Sequence, residues 1–331
     1  MKKVNPAQLR RSGKFTRRDL IRVLASAGIA AVASPLPSRS VNASEPGIKS
    51  GTRMVAAIFF ESYATVALRR ALRYAGNDGF VASMPQLLHA RVGASYDKII
   101  WNTWFTANSE ESVVTTKTGN PVVVTVHGGG IFASPDRFER SLRADLNRYN
   151  SEGLTGQYAA KISEREARDV VQGKLPDGSE IPVYAFDEFK QGIAGLPLRY
   201  AVVLDFEVAR KSISGYASFE KLKDDPNMII RAGGVEPLAA YLDKARNRHN
   251  TDLMGNSHSH ERIDPAQPQT RILNLGGNRG GVGSEGKDQG LGWGYDADDG
   301  IGASWPAGLA RYVAVAPQNV STSLQYLDFE L

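Results

Sequence analysis

The sequence predicts an α+β or mixed α/β protein: a mixed sheet with several helices packed on it, and a long glycine-rich loop near the C-terminus. Three observations lead there. Runs of β-branched and aromatic residues are interspersed with helical segments, but without the strict alternation of a doubly wound parallel sheet. Helix-start signals recur, with Ser134 before Pro135 and Ser163 three residues before Glu166. Between Gly276 and Gly302, 11 of 27 residues are glycine, and an aperiodic loop of that length is usually functional or disordered.

The elements follow in chain order. Tyr63 to Ala75 reads as a helix with Ala64, Ala67, Leu68, Ala71, Leu72 and Ala75 on one face and Arg69, Arg70 and Arg73 opposite; Gly76 stops it. Lys98 to Phe105 and Val113 to Val126 read as strands, the second broken by the turn Thr118-Gly119-Asn120-Pro121. Val122 to Val126 is apolar enough for a central strand covered on both faces. A helix from Pro135 and a second from Ser163 to Gly173 follow, then the turn Leu175-Pro176-Asp177-Gly178 and strands at Ile181 to Phe186 and Tyr200 to Val208. Met228 to Arg231 is expected as a short strand, Glu236 to Arg246 as a helix, and Arg271 to Leu275, Arg311 to Ala316 and Ser323 to Phe329 as the last strands. The tetrapeptide Leu204-Asp205-Phe206-Glu207 recurs at Leu327-Asp328-Phe329-Glu330, too short a match to indicate duplication.

The N-terminus has the three-part grammar of a secretory signal: a basic stretch, Thr16-Arg17-Arg18-Asp19-Leu20-Ile21-Arg22, and an apolar run from Val23 to Ala33. This segment resembles a twin-arginine signal peptide, with Arg17 and Arg18 as the export pair. The resemblance implies passage through the twin-arginine translocase in folded form and a periplasmic or extracellular destination. The apolar run is shorter than the roughly 20 residues of a spanning helix, so no permanent membrane anchor is expected. The expected organisation is a leader over 1–43, cut after Ala43, a linker over 44–52 and a single mature domain over 53–331.

The leader also distorts the charge. The chain holds 40 Lys+Arg against 35 Asp+Glu, but residues 1–43 contain nine of the bases and one of the acids, leaving 31 bases and 34 acids. That slightly acidic remainder removes the electrostatic case for nucleic acid as a partner. The chain has no cysteine, which excludes disulfides, c-type haem, cysteinyl iron–sulfur clusters and blue copper.

Three candidate sites stand out. Val126-His127-Gly128-Gly129-Gly130 ends an apolar strand and resembles the His-Gly-Gly-Gly oxyanion-hole motif of the hormone-sensitive-lipase branch of α/β-hydrolases, which implies that the Gly128 and Gly129 amides face an oxyanion. The matching nucleophile is Ser257 in Gly255-Asn256-Ser257-His258-Ser259, where Ser259 replaces the last glycine and no well-separated histidine follows.

The second is a histidine cluster. His249, His258 and His260 lie within twelve residues, beside Asp252, Glu261 and Asp264. In extended backbone His258 and His260 project to one side, a geometry for chelating a zinc-like divalent ion, with His249 or Asp264 as third ligand and Glu261 as base toward a metal-bound water. His-x-His also resembles the opening of the amidohydrolase metal site, though here it lies late in the chain.

The third is the glycine-rich loop. Its Gly281-Val282-Gly283-Ser284-Glu285-Gly286 matches the dinucleotide fingerprint in letters only, because no helix-forming sequence follows. Arg279 and Lys287 suit an anion held in a backbone nest, Asp296, Asp298 and Asp299 suit calcium, and Trp293, Tyr295 and Trp305 flank the loop. The expectations are therefore an exported metal-dependent hydrolase, a non-catalytic extracytoplasmic binding or assembly protein whose glycine loop is the contact surface, and a serine esterase.

Overall fold

The computed structural model describes residues 54–146, 159–213, 215–249, 253–257, 260, 263–276, 301–304 and 310–317. The leader with Arg17 and Arg18, the linker, most of the glycine-rich segment and the second Leu-Asp-Phe-Glu lie outside the described residues.

The architecture is α+β. A three-stranded antiparallel sheet has the order β1 (Met54–Glu61), β12 (Ala310–Pro317), β2 (Phe80–Val81). The larger, mixed sheet runs β6 (Val183–Ala185), β7 (Tyr200–Asp205), β4 (Pro121–His127), β3 (Phe105–Thr115), β10 (Gln269–Leu275), β11 (Ile301–Ser304), β9 (Leu253–Ser257), β8 (Gly215–Ser218), with β5 (Ala160–Lys161) also paired to β10. Its pairs are antiparallel except β6 with β7 and β11 with β9. Among the described residues, no helix is long and apolar enough to cross a membrane.

Two apolar clusters cover opposite faces of the central strands. Val123 points into one, with Trp101, Phe105, α2 (Met84–Gly93), α8 (Pro226–Ala232) and α9 (Val235–His249). Val122, Val124 and Val126 point into the other, with α1 (Ala64–Ala75), Phe132, α3 (Pro135–Leu146) and α4 (Glu164–Val171). Strand β4 is thus central and covered on both faces, as its valine-rich run predicts. On α1, Ala64, Ala67, Leu68, Ala71 and Ala75 are buried while the arginines face out. The capping box of α4 forms as expected, with Ser163 Oγ accepting from Glu166 N and Ser163 N donating to Glu166 Oε2.

Three expected strands are corrected. Residues 98–104 form successive turns, and β3 begins only at Phe105. Trp101 Nε1 donates to Arg91 O, and the Asn102 amide donates to the Tyr96 and Lys98 carbonyls, so the run wraps to bury its aromatic residue. Met228 to Arg231 belongs to helix α8: Asp225 accepts from Met228 N, Pro226 opens the helix and Gly233 closes it in the left-handed region. The whole run is buried, so it carries no amphipathic period. Strand β7 stops at Asp205, whose side chain accepts from Val208 N and starts α6 (Phe206–Arg210). The short helices α5 (Phe186–Lys190) and α7 (Phe219–Leu222) complete the helices among the described residues.

Two glycines separate strain from space. Gly173 has φ +73°, and a Cβ there would lie 2.2 Å from Ile181 O; Gly178 has φ +83° with open space around it. Gly173→Ala is expected to lower stability by about 3 kcal/mol or more, and Gly178→Ala by about 1 kcal/mol. Urea denaturation of the two variants checks the ordering, and equal losses would contradict it.

Candidate functional site

The chemistry-bearing side chains concentrate on β3, where Ser109, Glu110 and Glu111 are consecutive and buried. Alternation of side chains sends Glu111 to the face of α2 and α8, and Glu110 to the face of α1 and α3.

Glu111 sits between two buried arginines. Arg231 of α8 donates through Nε to Oε1 at 2.6 Å and through Nη2 to Oε2 at 2.9 Å; Arg271 of β10 donates through Nη2 and Nε to Oε2 at 3.0 and 3.2 Å. All three side chains are 1% exposed. Burial alone pushes this carboxyl up, but the two guanidinium charges override it and hold Glu111 well below the usual carboxylate range. Arg271 is lowered to about 10 by burial, with Arg231 adding to the effect against the opposing pull of Glu111.

His260 completes the cluster. Its Nε2 lies 3.0 Å from Arg271 Nη2, and its Nδ1 lies 3.2 Å from Asn227 Nδ2. Burial first, and the Arg271 charge second, hold the ring well below its ordinary value, so it is neutral. A ring nitrogen facing a guanidinium is poorly placed for a metal ion, so the structure assigns His260 to the ionic cluster rather than to a chelate. Asp264 is exposed and accepts from Ala266 N, a local turn contact. His249 is the last residue of α9. His258 and Glu261 lie outside the described residues, as do Asp296, Asp298 and Asp299. Among the described residues, no group of three or more His, Asp or Glu side chains is arranged to hold a metal.

The His-Gly-Gly-Gly segment is likewise committed to structure. The Gly128 and Gly129 amides both donate to Asn108 O at 2.9 Å, so neither faces a site for an oxyanion. His127 is fully buried: its Nε2–H donates to Ile230 O at 2.9 Å, and Nδ1 accepts from Ser109 O–H at 2.9 Å. Ser109 Oγ also accepts from Met84 N. Burial pushes His127 down to about 4. The backbone of Ser257 ends β9, four strands from β4 in the sheet order, or about 19 Å at ordinary strand spacing. The esterase arrangement is not assembled: its amides are occupied and its nucleophile stands on a distant strand.

Glu110 has the most unusual environment. Its Oε1 accepts from Gly130 N at 3.3 Å and Phe132 N at 2.9 Å, while its buried Oε2 has no partner. Burial raises its pKa to about 7. Glu110, Glu111, Arg231 and Arg271 are missing from the motif-based candidates. Their signal is two adjacent acids beside the Val113 strand and an arginine opening the Arg271 strand, charges where a covered sheet should be apolar.

No protein-family model and no curated protein matches this chain. A solved structure described as "Accommodation of massive sequence variation in Nanoarchaeota by the C-type lectin fold" is 22% identical, with a TM-score of 0.53 over 79% of this chain and 97% of the other. This chain shares the C-type lectin fold. In this C-type lectin fold the Glu111 cluster lies inside the scaffold, joining β3, β10 and α8, and the ends of β10 and β11 are paired at Leu275 and Ile301.

Glu111→Gln leaves two buried guanidiniums without a countercharge and is expected to cost about 3–5 kcal/mol of stability, read from urea denaturation; a loss below 1 kcal/mol would contradict the ionic role. The two buried histidines give a pH signature. Their folded values lie below the unfolded value near 6.5, so their contribution to stability is present above about 6.5 and is lost as pH falls, for His127 through about 4. Imidazole NMR shifts should show both rings neutral at pH 5.5, and a protonated ring there would contradict the network.

Proposed function

We propose that this chain is an exported, non-catalytic binding protein in which a C-type lectin scaffold presents residues 276–300 as its contact surface. One observation carries the proposal. Leu275 and Ile301 are register partners on adjacent strands β10 and β11, so a connection of 25 residues leaves and rejoins the sheet at one place. Strand β10, which leads into it, is fixed by buried contacts, among them the Arg271–Glu111 pair.

The composition of the connection suits recognition. Trp293 and Tyr295 bring large contact area at low entropic cost, while Asn278, Arg279 and Ser284 bring adaptable hydrogen bonding on a glycine-rich backbone. The matched structure is described in terms of massive sequence variation accommodated by this fold, which supports a division between constant scaffold and changeable surface. The twin-arginine-like segment around Arg17 and Arg18 supports passage through the translocase to the periplasm or beyond. The commitment of His127 and His260 to buried contacts favours binding over catalysis.

A display library randomised at Asn278, Arg279, Ser284, Trp293 and Tyr295 tests the division. More than half of unselected clones should remain folded by protease resistance, and selection against an immobilised test protein such as lysozyme should yield binders of micromolar affinity or better. Widespread unfolding, or no binder from a folded library, would overturn the proposal.

A further inference from the structure

The three strongest features outside the proposed contact surface are a shallow cavity, an exposed aromatic cluster and one buried carboxyl. The cavity, about 260 Å³, lies between the β3–β4 turn and the end of α4. Its cations Lys117 and Arg168 meet the carbonyl end of that helix, which opposes an anion. In the aromatic cluster Phe60 and Trp104 meet edge to face with Arg311 beside both, 4.6 and 4.9 Å from the ring centroids, and nothing specifies a partner. The carboxyl, Glu110, carries an argument through.

Glu110 is 3% exposed and reaches across to the turn that follows β4, a 3-10 segment over Ile131–Ala133. Its two oxygens are unequally served: Oε1 receives the Gly130 and Phe132 amides, and Oε2 receives no hydrogen bond. The Ile131 amide also draws this carboxyl toward ionisation, but burial outweighs the backbone donors. Two other ionisable groups act on it. Arg137 of α3 draws charge toward ionisation, but its guanidinium is held by Glu166 at 2.5 Å and by Ser141. Tyr312 of β12 is buried and raised far above its ordinary value, so it stays neutral. Glu111 lies on the opposite face of β3, already neutralised by Arg231 and Arg271.

We propose that Glu110 is a proton-operated anchor for the Gly130–Ala133 turn: the neutral acid holds the turn closed, and ionisation favours local opening that lets water reach Oε2. In the neutral acid, the carbonyl oxygen accepts the two amides and the cost is one unpaired hydroxyl. In the carboxylate, charge shared onto Oε2 is buried without a donor, a heavier penalty. Opening relieves it by hydration. The folded value near 7 stands above the ordinary 4.5, so the stabilising contribution is full below about 4.5 and is lost as pH rises through about 7.

Amide hydrogen exchange of Gly130 and Phe132, corrected for the intrinsic pH dependence of exchange, reads the device directly. Protection should fall about tenfold per pH unit between 4.5 and 7, about 300-fold in all, and then level off. Glu110→Gln should flatten that profile. As a measurement independent of the variant's folding, the Glu110 carboxyl carbon in the unaltered protein is titrated by NMR, with a midpoint near 7 expected. A midpoint below 5.5, or protection that does not change with pH in the unaltered protein, would overturn the proposal.

Discussion

The scaffold depends on placing two arginines and one glutamate where water cannot reach them. Isolated, any of these charges would be expelled from the interior, since desolvation of a single ion costs several kcal/mol even after relaxation. Together they are tolerated because Glu111 takes two hydrogen bonds from each guanidinium. The cluster is directional where the apolar contacts around it are not. It fixes β10 against β3 at the Arg271–Glu111 register pair and sets α8 over that pair through Arg231.

The two faces of β3 apply the same chemistry to opposite ends. On one face a glutamate is surrounded by cations and ionised; one residue earlier, on the other face, a glutamate meets amides and apolar rings and is raised to about 7. Well below pH 7, sequence neighbours of identical type thus differ by nearly a full charge because a strand turns alternate side chains into different solvents. The glycines after β4 allow this: Gly128 and Gly129 adopt φ of +82° and +106°, which brings both amides to Asn108 O.

Much of the fold is legible wherever a local signal and a tertiary role coincide. The arginine-backed face of α1, the capping box at Ser163 and the valine run of β4 each announce their element and occupy it. Sequence and structure part where burial erases periodicity. Met228 to Arg231 is enclosed on all sides and shows no helical pattern, although Asp225-Pro226 before it and Gly233 after it are the decisive signs. Lys98 to Phe105 resembles a strand because bulky residues suit a tightly wound, buried turn equally well. The site is harder to read. His127 and His260 attract attention as catalytic types, yet each is a neutral cross-brace, and the groups they meet stand up to 149 residues away in chain numbering, as with Glu111 and His260. No spacing rule reports a contact of that separation.

The register pair Leu275 and Ile301 has a consequence for how the chain can change length. Once the ends of a connection are held side by side, the entropy of closing it grows only with the logarithm of its length, about 0.6 kcal/mol for each doubling. Inserting or deleting several residues between these two positions therefore costs less than removing one buried methylene group from the core. By this loop-closure term alone, the span of the connection can change while the ladder on either side keeps its count.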